Sequence, residues 1–293
     1  MCKLWKGGSI LVKLERLIED FDRGLHNFYT NDRASFSMFR KGPCLHFHIR
    51  TVKKLRDLLH QYNSYAQVCS HPEYAELLYA TLTAWGMNLV GGRIHSNRLE
   101  ADEVGLQDFE KFQENLNDHK LINSLEHLRD ERLRAPLKLT SLNQSRLGEI
   151  KEEVKHAYEY LAQKRVVKSK RAIVAVSKVL HHLVPDLLMP VDGEHILKFL
   201  NKLEDKDENS QPLRPSSSYN YDTFDAYWSC VKISRHIAEK RGIVDPSKWE
   251  PRDPKFSIKK RPMDTSTPKM IDNAIIGLSG PKEVSTSAEK VYG

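Results

Sequence analysis

The stretch SKVLHHLVPDLLMPVD, from Ser177 to Asp192, has the most definite order of apolar, charged and proline positions in this chain. Its first half continues a helical pattern from about Arg171 to Val184, whose apolar residues gather on one side at 100° per residue. Lys178 falls close to the opposite side, so we expect it to face solvent or a cleft. Pro185 ends the helix, and Pro190 extends the backbone that precedes it.

Asp192 follows this proline-bent connector and precedes GEHILKFL, which starts a second helical pattern from about Gly193 to Leu203. Its carboxylate is therefore well suited to cap the N-terminus of the second helix. Two interpretations of the stretch stay open. Lys178, His181 and Asp192 could form a catalytic group, with His181 as a general acid or base. They could also be a surface lysine, a hydrogen-bonding histidine and a capping aspartate.

Apolar residues recur three and four positions apart on both sides of this stretch, as in amphipathic helices. One such segment, EYAELLYATLTAW, is apolar nearly all round and predicts a central, buried helix. The sequence has no internal repeat and no alternation of strands and helices. We therefore predict an all-α fold with a single globular multi-helix domain. The helical segments are 10–29, 52–62, 73–85, 106–116, 120–133, 146–163, 171–184, 193–203 and 223–241.

The segments between and beyond these helices set the predicted domain boundaries. The helical domain is placed at residues 9–243, after an N-terminal extension of residues 1–8. Residues 204–221 are acidic, rich in serine and proline and without periodicity, so an exposed loop is predicted there. Residues 244–293 are basic and proline-rich. They are predicted to form an irregular, extended and partly disordered C-terminal tail, with a short helix at about Met270 to Ile276.

Three local signals predict where helices begin and end. Thr51 is predicted to be the N-cap of the helix that follows it. Asp222, with Asp225 three residues later, resembles a capping box that opens the last long helix. Gly242 is predicted to close the same helix, because glycine readily adopts the left-handed conformation found after helix ends.

The segment before Thr51, GPCLHFHIR, alternates Cys44, His46 and His48 with apolar residues. It predicts a short strand or an extended entry into the next helix. On a strand, the three side chains would share one face and could hold zinc with a fourth ligand or a water molecule. Packing or surface histidines explain the same residues, and we expect no metal and no other cofactor.

The composition argues against several classes of protein. Hydrophobic residues make up 40% and charged residues 29%, and no apolar run approaches the roughly 18 to 20 residues that span a bilayer. The four cysteines lack paired spacing, and early acidic residues interrupt any secretory signal, so a cytoplasmic location is expected. The motifs GxxxxGK[ST], GxGxxG, HExxH and GxSxG are absent, which argues against the enzyme classes built on them. Oligomeric state is not set by these features.

The charge distribution favours a polyanionic partner. The net charge is +7, from 46 basic and 39 acidic residues. The run KRVVKSKR lies just before the motif and could contact phosphates, although a solvated surface explains it as well. DNA or another nucleic acid is therefore the expected partner. The residues of this run are Lys164, Arg165, Lys168, Lys170 and Arg171.

The order of lysine, proline-rich turn and helix-capping aspartate resembles the helix-hairpin-helix DNA glycosylase superfamily. In that family a lysine attacks the sugar C1′ in bifunctional members, and an aspartate stabilises the developing positive charge or activates the nucleophile. The resemblance implies these roles for Lys178 and Asp192, with VDGEH where the family has valine-aspartate-threonine-histidine. The chain lacks the family's glycine-rich hairpin and instead has KSKRAIVAVSK before the motif.

Residues 45–203 also look similar to a set of uncharacterised helical proteins of bacteria and archaea. The segment EYAELLYATLTAWGMN, with Trp85, Gly86 and Met87, looks like an earlier part of the same proteins. This similarity implies a shared fold and carries no known activity. The matching motif residues are Ser177, Lys178, Leu180, His181, Pro185, Asp186, Pro190 and Asp192.

Two hypotheses of function follow from these residues. The first is a nucleic-acid-associated helical protein with a glycosylase-like core, in which Lys178 and Asp192 are catalytic. The second is a non-catalytic helical scaffold or binding module whose motif is purely structural.

Overall fold

The computed structural model describes residues 8–30, 43–84, 105–129, 142–168, 172–191 and 223–279. These residues form mainly α helices, so the predicted all-α fold class is confirmed. The helices are α1 (Gly8–Glu19), α2 (Phe21–Thr30), α3 (Pro43–Gln61), α4 (Tyr65–Ser70), α5 (Pro72–Ala84), α6 (Phe109–Leu116), α7 (His119–Leu128), α8 (Gln144–Gln163), α9 (Ala172–Leu183), α10 (Phe224–Arg241) and α11 (Thr267–Ser279).

One contiguous apolar core joins these helices into a single domain. Within it, α7 packs on α8, α3 on α5, α9 on α8, and α11 on α2. Two strands of two residues, β1 (Gly105–Leu106) and β2 (Val167–Lys168), pair antiparallel beside α9. A short 3₁₀ helix covers Pro254–Phe256. Among the described helices, none has the length and apolar composition needed to cross a membrane.

The segment predicted as a strand or extended entry is instead the first part of α3, which begins at Pro43. Thr51 is therefore not an N-cap; it lies within the helix, where its hydroxyl donates to the Phe47 carbonyl at 2.8 Å. Helical periodicity overrides the alternation of polar and apolar residues here. The strand face on which the hypothesis of a Cys44, His46 and His48 metal site rested is therefore not formed. Among the described residues, no three His, Cys, Asp or Glu side chains are arranged so that they could hold a metal ion.

The boundaries of two other helical segments also differ from the prediction. The segment 10–29 forms two helices, α1 and α2, with Asp20 between them. The N-cap of α10 is Thr223, whose hydroxyl accepts from the Ala226 backbone N–H at 3.4 Å, whereas Asp222 lies outside the described residues. Gly242 closes α10 with a left-handed backbone at φ 66°, as predicted.

Residues 244–279 are not the extended tail that the sequence predicted. They fold back on the domain and end in α11, which is longer than the predicted Met270–Ile276 helix and is mostly buried. At the crossing of α11 and α2, Gly277 and Gly24 bring the two backbones into direct contact. The prolines and basic residues of this segment favoured the prediction of a tail. The helix α11 is nevertheless apolar on most of its surface, and it packs on α2 in the folded chain.

A buried ion pair holds the start of this segment against the domain. Asp22 Oδ1 of α2 accepts from Arg241 Nη2 of α10, and Asp22 Oδ2 accepts from the backbone N–H of Arg252 at 2.8 Å. The Arg241 guanidinium also lies 5.5 Å from the Trp249 ring, whose Nε1 donates to the Arg241 carbonyl at 3.1 Å. The Asp22 carboxylate thus joins α2, α10 and the segment that leads to α11.

Replacing Asp22 with alanine is expected to lower the free energy of unfolding by about 3–5 kcal/mol, because it leaves Arg241 buried without its carboxylate. Asp20 provides the matched control, since its carboxylate pairs with the exposed Arg23 on the surface at 2.6 Å. Asp20→Ala should cost less than about 1 kcal/mol. Urea unfolding of both variants measures the difference, and equal losses would contradict the role given to Asp22.

Candidate functional site

The motif stretch forms α9 and a buried connector from Val184 to Val191. The predicted helix followed by a proline-bent apolar turn is therefore confirmed up to Val191. Every residue of the connector is buried except Asp186, which is half-buried. Arg56 Nη2 of α3 contacts both carboxylate oxygens of Asp186, at 3.0 and 3.1 Å. Asp192 and His195 lie outside the described residues.

Two polar side chains of α9 bind the backbone of this connector. Ser177 Oγ accepts from the Val191 backbone N–H at 2.9 Å and donates to the Val174 carbonyl at 3.2 Å. His181 Nδ1 donates to the Leu188 carbonyl at 2.8 Å, so its proton is on Nδ1 when the ring is neutral. His181 is therefore a hydrogen-bonding residue, as one of the two interpretations predicted, and it is buried.

Lys178 is only 6% exposed, which corrects the prediction that it faces solvent or a cleft. The prediction assumed that one side of α9 is free. In the structure α8, α3, α5 and α10 all pack on α9, so the side opposite its apolar stripe is buried as well. A helix enclosed on all sides carries its polar residues into the interior.

Lys178 belongs to a buried group of ionisable side chains from three helices, which we call the His–Lys cluster. Lys269 Nζ and Asp272 Oδ2 of α11 form an ion pair within it. The rings of His181 and His182 lie 5.2 Å apart. All members are at most 6% exposed. The cluster consists of His48 from α3, Lys178, His181 and His182 from α9, and Lys269 and Asp272 from α11.

The histidines of the cluster are held neutral. Burial, with a contribution from the Lys269 charge, lowers the pKa of His48 to about 3. Burial also lowers the pKa of His181 to about 3, against the opposing effect of its bond to Leu188. The pKa of His182 is lowered well below its usual value by burial, by the two other histidines and by the charges of Lys269 and Lys178. The neutral histidines therefore add no positive charge to the cluster.

This arrangement can support acid–base or amine chemistry. Neutral imidazoles accept protons, and a buried lysine amine is a potential nucleophile. Clusters of ionisable groups with perturbed pKa values are common at functional sites, although structural networks produce them too. The His–Lys cluster is therefore the candidate functional site of the described residues.

Sequence reasoning found only part of this cluster. It identified Lys178 and His181 but assigned Lys269 and Asp272 to an extended tail, and it considered His48 only as a metal ligand or a packing residue. A signal for the two missed residues exists in TPKMIDNAII, where a lysine and an aspartate three positions apart interrupt an apolar helical pattern. The position of His48 beside α9 has no local signal.

The basic run is described only in part. Lys164 and Arg165 are exposed on the turn that follows α8. Lys168 belongs to β2, whereas Lys170 and Arg171 lie outside the described residues. The prediction that this run contacts nucleic acid stays a prediction.

Comparisons with known proteins do not assign this chain to a family: no protein-family model, curated protein or solved structure matches it. The resemblances to helix-hairpin-helix DNA glycosylases and to uncharacterised helical proteins of bacteria and archaea therefore stay predictions.

Proposed function

We propose that this protein is a nucleic-acid-associated enzyme whose reactive group is the amine of Lys178. The observation that carries the proposal is the burial of Lys178 in the His–Lys cluster, where Lys178 and Lys269 both lie close enough to His182 to affect its pKa. Burial and a nearby cation are the two conditions that favour a neutral, nucleophilic lysine amine. Apolar residues would fill the same space without the desolvation cost of so many ionisable groups.

Asp192 is proposed to stabilise the positive charge that develops in the reaction. The bond between Ser177 Oγ and the Val191 backbone N–H supports this assignment. Lys178 follows Ser177 directly, Asp192 follows Val191 directly, and consecutive Cα atoms are only about 3.8 Å apart. Lys178 and Asp192 are thus each adjacent in sequence to one partner of this hydrogen bond.

The proposed substrate is DNA that contains an abasic deoxyribose. In its ring-opened form the sugar has an aldehyde at C1′, which the Lys178 amine attacks. Loss of water then gives an imine between Nζ and C1′. His181 Nε2 carries no ring proton, because the bond to Leu188 places that proton on Nδ1, and Nε2 is proposed to accept a hydrogen bond from the reacting groups.

Borohydride is expected to trap a covalent complex between this protein and DNA that contains an abasic site, because it reduces the imine to a stable amine. The Lys178→Ala variant should give no complex, whereas Lys155→Ala, which removes a half-buried lysine of α8 outside the cluster, should give as much as the wild type. Gel electrophoresis of the trapped complex measures the outcome. The absence of a complex with the wild type, or its persistence in Lys178→Ala, would refute the lysine mechanism.

A second candidate function, a non-catalytic helical binding module, is favoured by a different observation. Ser177 and His181 both bind the connector backbone, which is a sufficient structural reason for their presence in the motif. On this proposal the amine of Lys178 takes no part in chemistry, and the Lys178→Met variant removes it while keeping a side chain of similar volume. Nucleic-acid binding would be retained by that variant, and borohydride would trap no complex with the wild type.

A further inference from the structure

The turn after α8 has a backbone conformation that is unusual for the residue that occupies it. The Arg165 backbone N–H donates to the Ala162 carbonyl at 3.2 Å, and the Val166 N–H donates to the Leu161 carbonyl at 3.4 Å. This pair of bonds is the Schellman arrangement at a helix C-terminus, in which one residue takes a left-handed conformation. Arg165 is that residue, with φ 49°.

The same arrangement ends α10, where glycine occupies the equivalent position. The Gly242 N–H donates to the Glu239 carbonyl at 3.3 Å, and the Ile243 N–H donates to the Ala238 carbonyl at 2.9 Å. Gly242 has φ 66°, and the apolar residue after it is buried, as is the residue after Arg165. The two helix ends therefore differ mainly in the side chain at the left-handed position.

Glycine fits this position better than arginine does. A β-carbon in the left-handed region crowds the adjacent carbonyl oxygen, and glycine has none. The α8 turn therefore carries a conformational cost that the α10 turn avoids. Left-handed residues other than glycine, asparagine and aspartate are uncommon, and such outliers cluster at functional sites. A glycine at this position would avoid the conformational cost, but it would also eliminate the side chain of Arg165.

The charges around this turn fit an external anion. Lys164 and Arg165 are both exposed, and the Lys164 Nζ lies 5.5 Å from the Tyr160 ring. Asp118 is the acidic group that interacts with Lys164. No ion pair is found for Arg165 in the part of the chain that the structure describes. The guanidinium is therefore available to a partner, on a backbone that two hydrogen bonds hold in place.

We propose that Arg165, supported by Lys164, is a preformed contact for a phosphate of a nucleic-acid backbone. The planar guanidinium can bind two phosphate oxygens at once, which a lysine amine cannot do with the same geometry. The fixed turn positions the guanidinium before the ligand arrives. This proposal rests on the nucleic-acid association proposed above, but not on the chemistry of Lys178.

The test is the Arg165→Gly variant, which relaxes the turn and removes the guanidinium at the same time. We expect the thermal midpoint to rise by roughly 2–4 °C. The affinity for a 20-base-pair DNA duplex should fall about five- to tenfold at roughly 0.1 M salt. The slope of log affinity against log salt should become less steep by about 0.9, the value for one phosphate contact.

Two control variants separate the relaxation of the turn from the loss of the guanidinium. Lys232→Ala removes an exposed lysine of α10 and should change neither the affinity for the duplex nor the salt slope. Gly242→Ala places a β-carbon at the equivalent turn, and it should lower the thermal midpoint without changing binding.

Three outcomes would overturn the proposal. Unchanged affinity and salt slope in Arg165→Gly would show that Arg165 does not contact a phosphate. A lower thermal midpoint in the same variant would show that the left-handed turn has no conformational cost. A wild type that does not bind the duplex would refute both this proposal and the nucleic-acid association. Duplex binding by a wild type that forms no borohydride-trapped complex would refute only the lysine mechanism.

Discussion

The Gly277→Ala variant is expected to lose about 3 kcal/mol or more of its free energy of unfolding. A β-carbon built on Gly277 would overlap the Gly24 carbonyl oxygen and lie 2.7 Å from the Phe28 backbone nitrogen. Both are backbone atoms of α2, which cannot rotate away as the end of a side chain can. The two helices must therefore separate along their whole contact, which costs more than the usual 1–3 kcal/mol of an overpacked core.

Gly148 gives the matched control for this substitution. It lies on the exposed side of α8, and a β-carbon there would meet nothing within 4 Å. Gly148→Ala should stabilise the protein by about 0.5–1 kcal/mol, because alanine has the higher helix propensity. Urea unfolding of both variants measures the pair of values. A Gly277→Ala protein as stable as the wild type would contradict the backbone contact between α2 and α11.

Lowering the pH from about 7.5 to 5 is expected to destabilise the protein by about 3 kcal/mol or more. His48, His181 and His182 stay neutral in the folded chain, whereas in the unfolded chain they bind protons below pH 6.5. The stability linked to each histidine is therefore complete above pH 6.5 and is lost as the pH falls toward its lowered pKa, which is about 3 for His48 and His181. At pH 5 this amounts to about 2 kcal/mol each for His48 and His181, and His182 adds to the same loss.

Asp264 has an opposing effect. Burial raises its pKa to about 6, although bonds from Asn273 and Tyr29 and the charges of Arg261 and Lys269 favour the ionised form. A carboxyl with a raised pKa contributes its stability below the unfolded value of 3.8 and loses it as the pH rises through about 6. Protonation of Asp264 therefore offsets roughly 1 kcal/mol of the loss at pH 5.

A pair of histidine variants tests the origin of the acid sensitivity. His48→Gln should reduce the dependence of stability on pH by about 1.4 kcal/mol per pH unit between pH 6 and 4, because one buried proton-binding group is removed. His119→Gln should leave the dependence unchanged, since the His119 side chain is 79% exposed. Unfolding in urea at a series of pH values gives both slopes. Equal slopes for the wild type and His48→Gln would show that His48 does not stay neutral in the folded chain.

The sequence predicted the helices that have an amphipathic pattern. The helices that contain residues 146–163 and 171–184 were identified from apolar spacing, and the end of α10 was identified from Gly242. These signals are local, because each depends on residues within a few turns of the chain. The connector from Val184 to Val191 belongs to the same group, since proline restricts the backbone wherever it occurs.

The errors in the sequence analysis have a common physical cause. Cys44 to Arg50 fits a strand as well as a helix when only alternation is considered, and the packing of α3 on α5 selects the helix. The segment 267–279 looked like part of a basic tail, because its apolar residues need α2 as a partner. In both cases contacts between residues distant in sequence outweighed the local pattern.

The candidate site also has features that follow from the local sequence and features that depend on tertiary contacts. The sequence by itself determined that Lys178 and His181 share a helix and that prolines bend the chain before Asp192, since spacing and proline chemistry need no partner. Only the tertiary structure decided that Lys178 is buried and that His48 and Lys269 join it. Burial depends on which helices surround α9, and His48 and Lys269 lie 130 and 91 positions away from Lys178 along the chain. The charge environment of the cluster is therefore a property of the packed helices and not of any one of them.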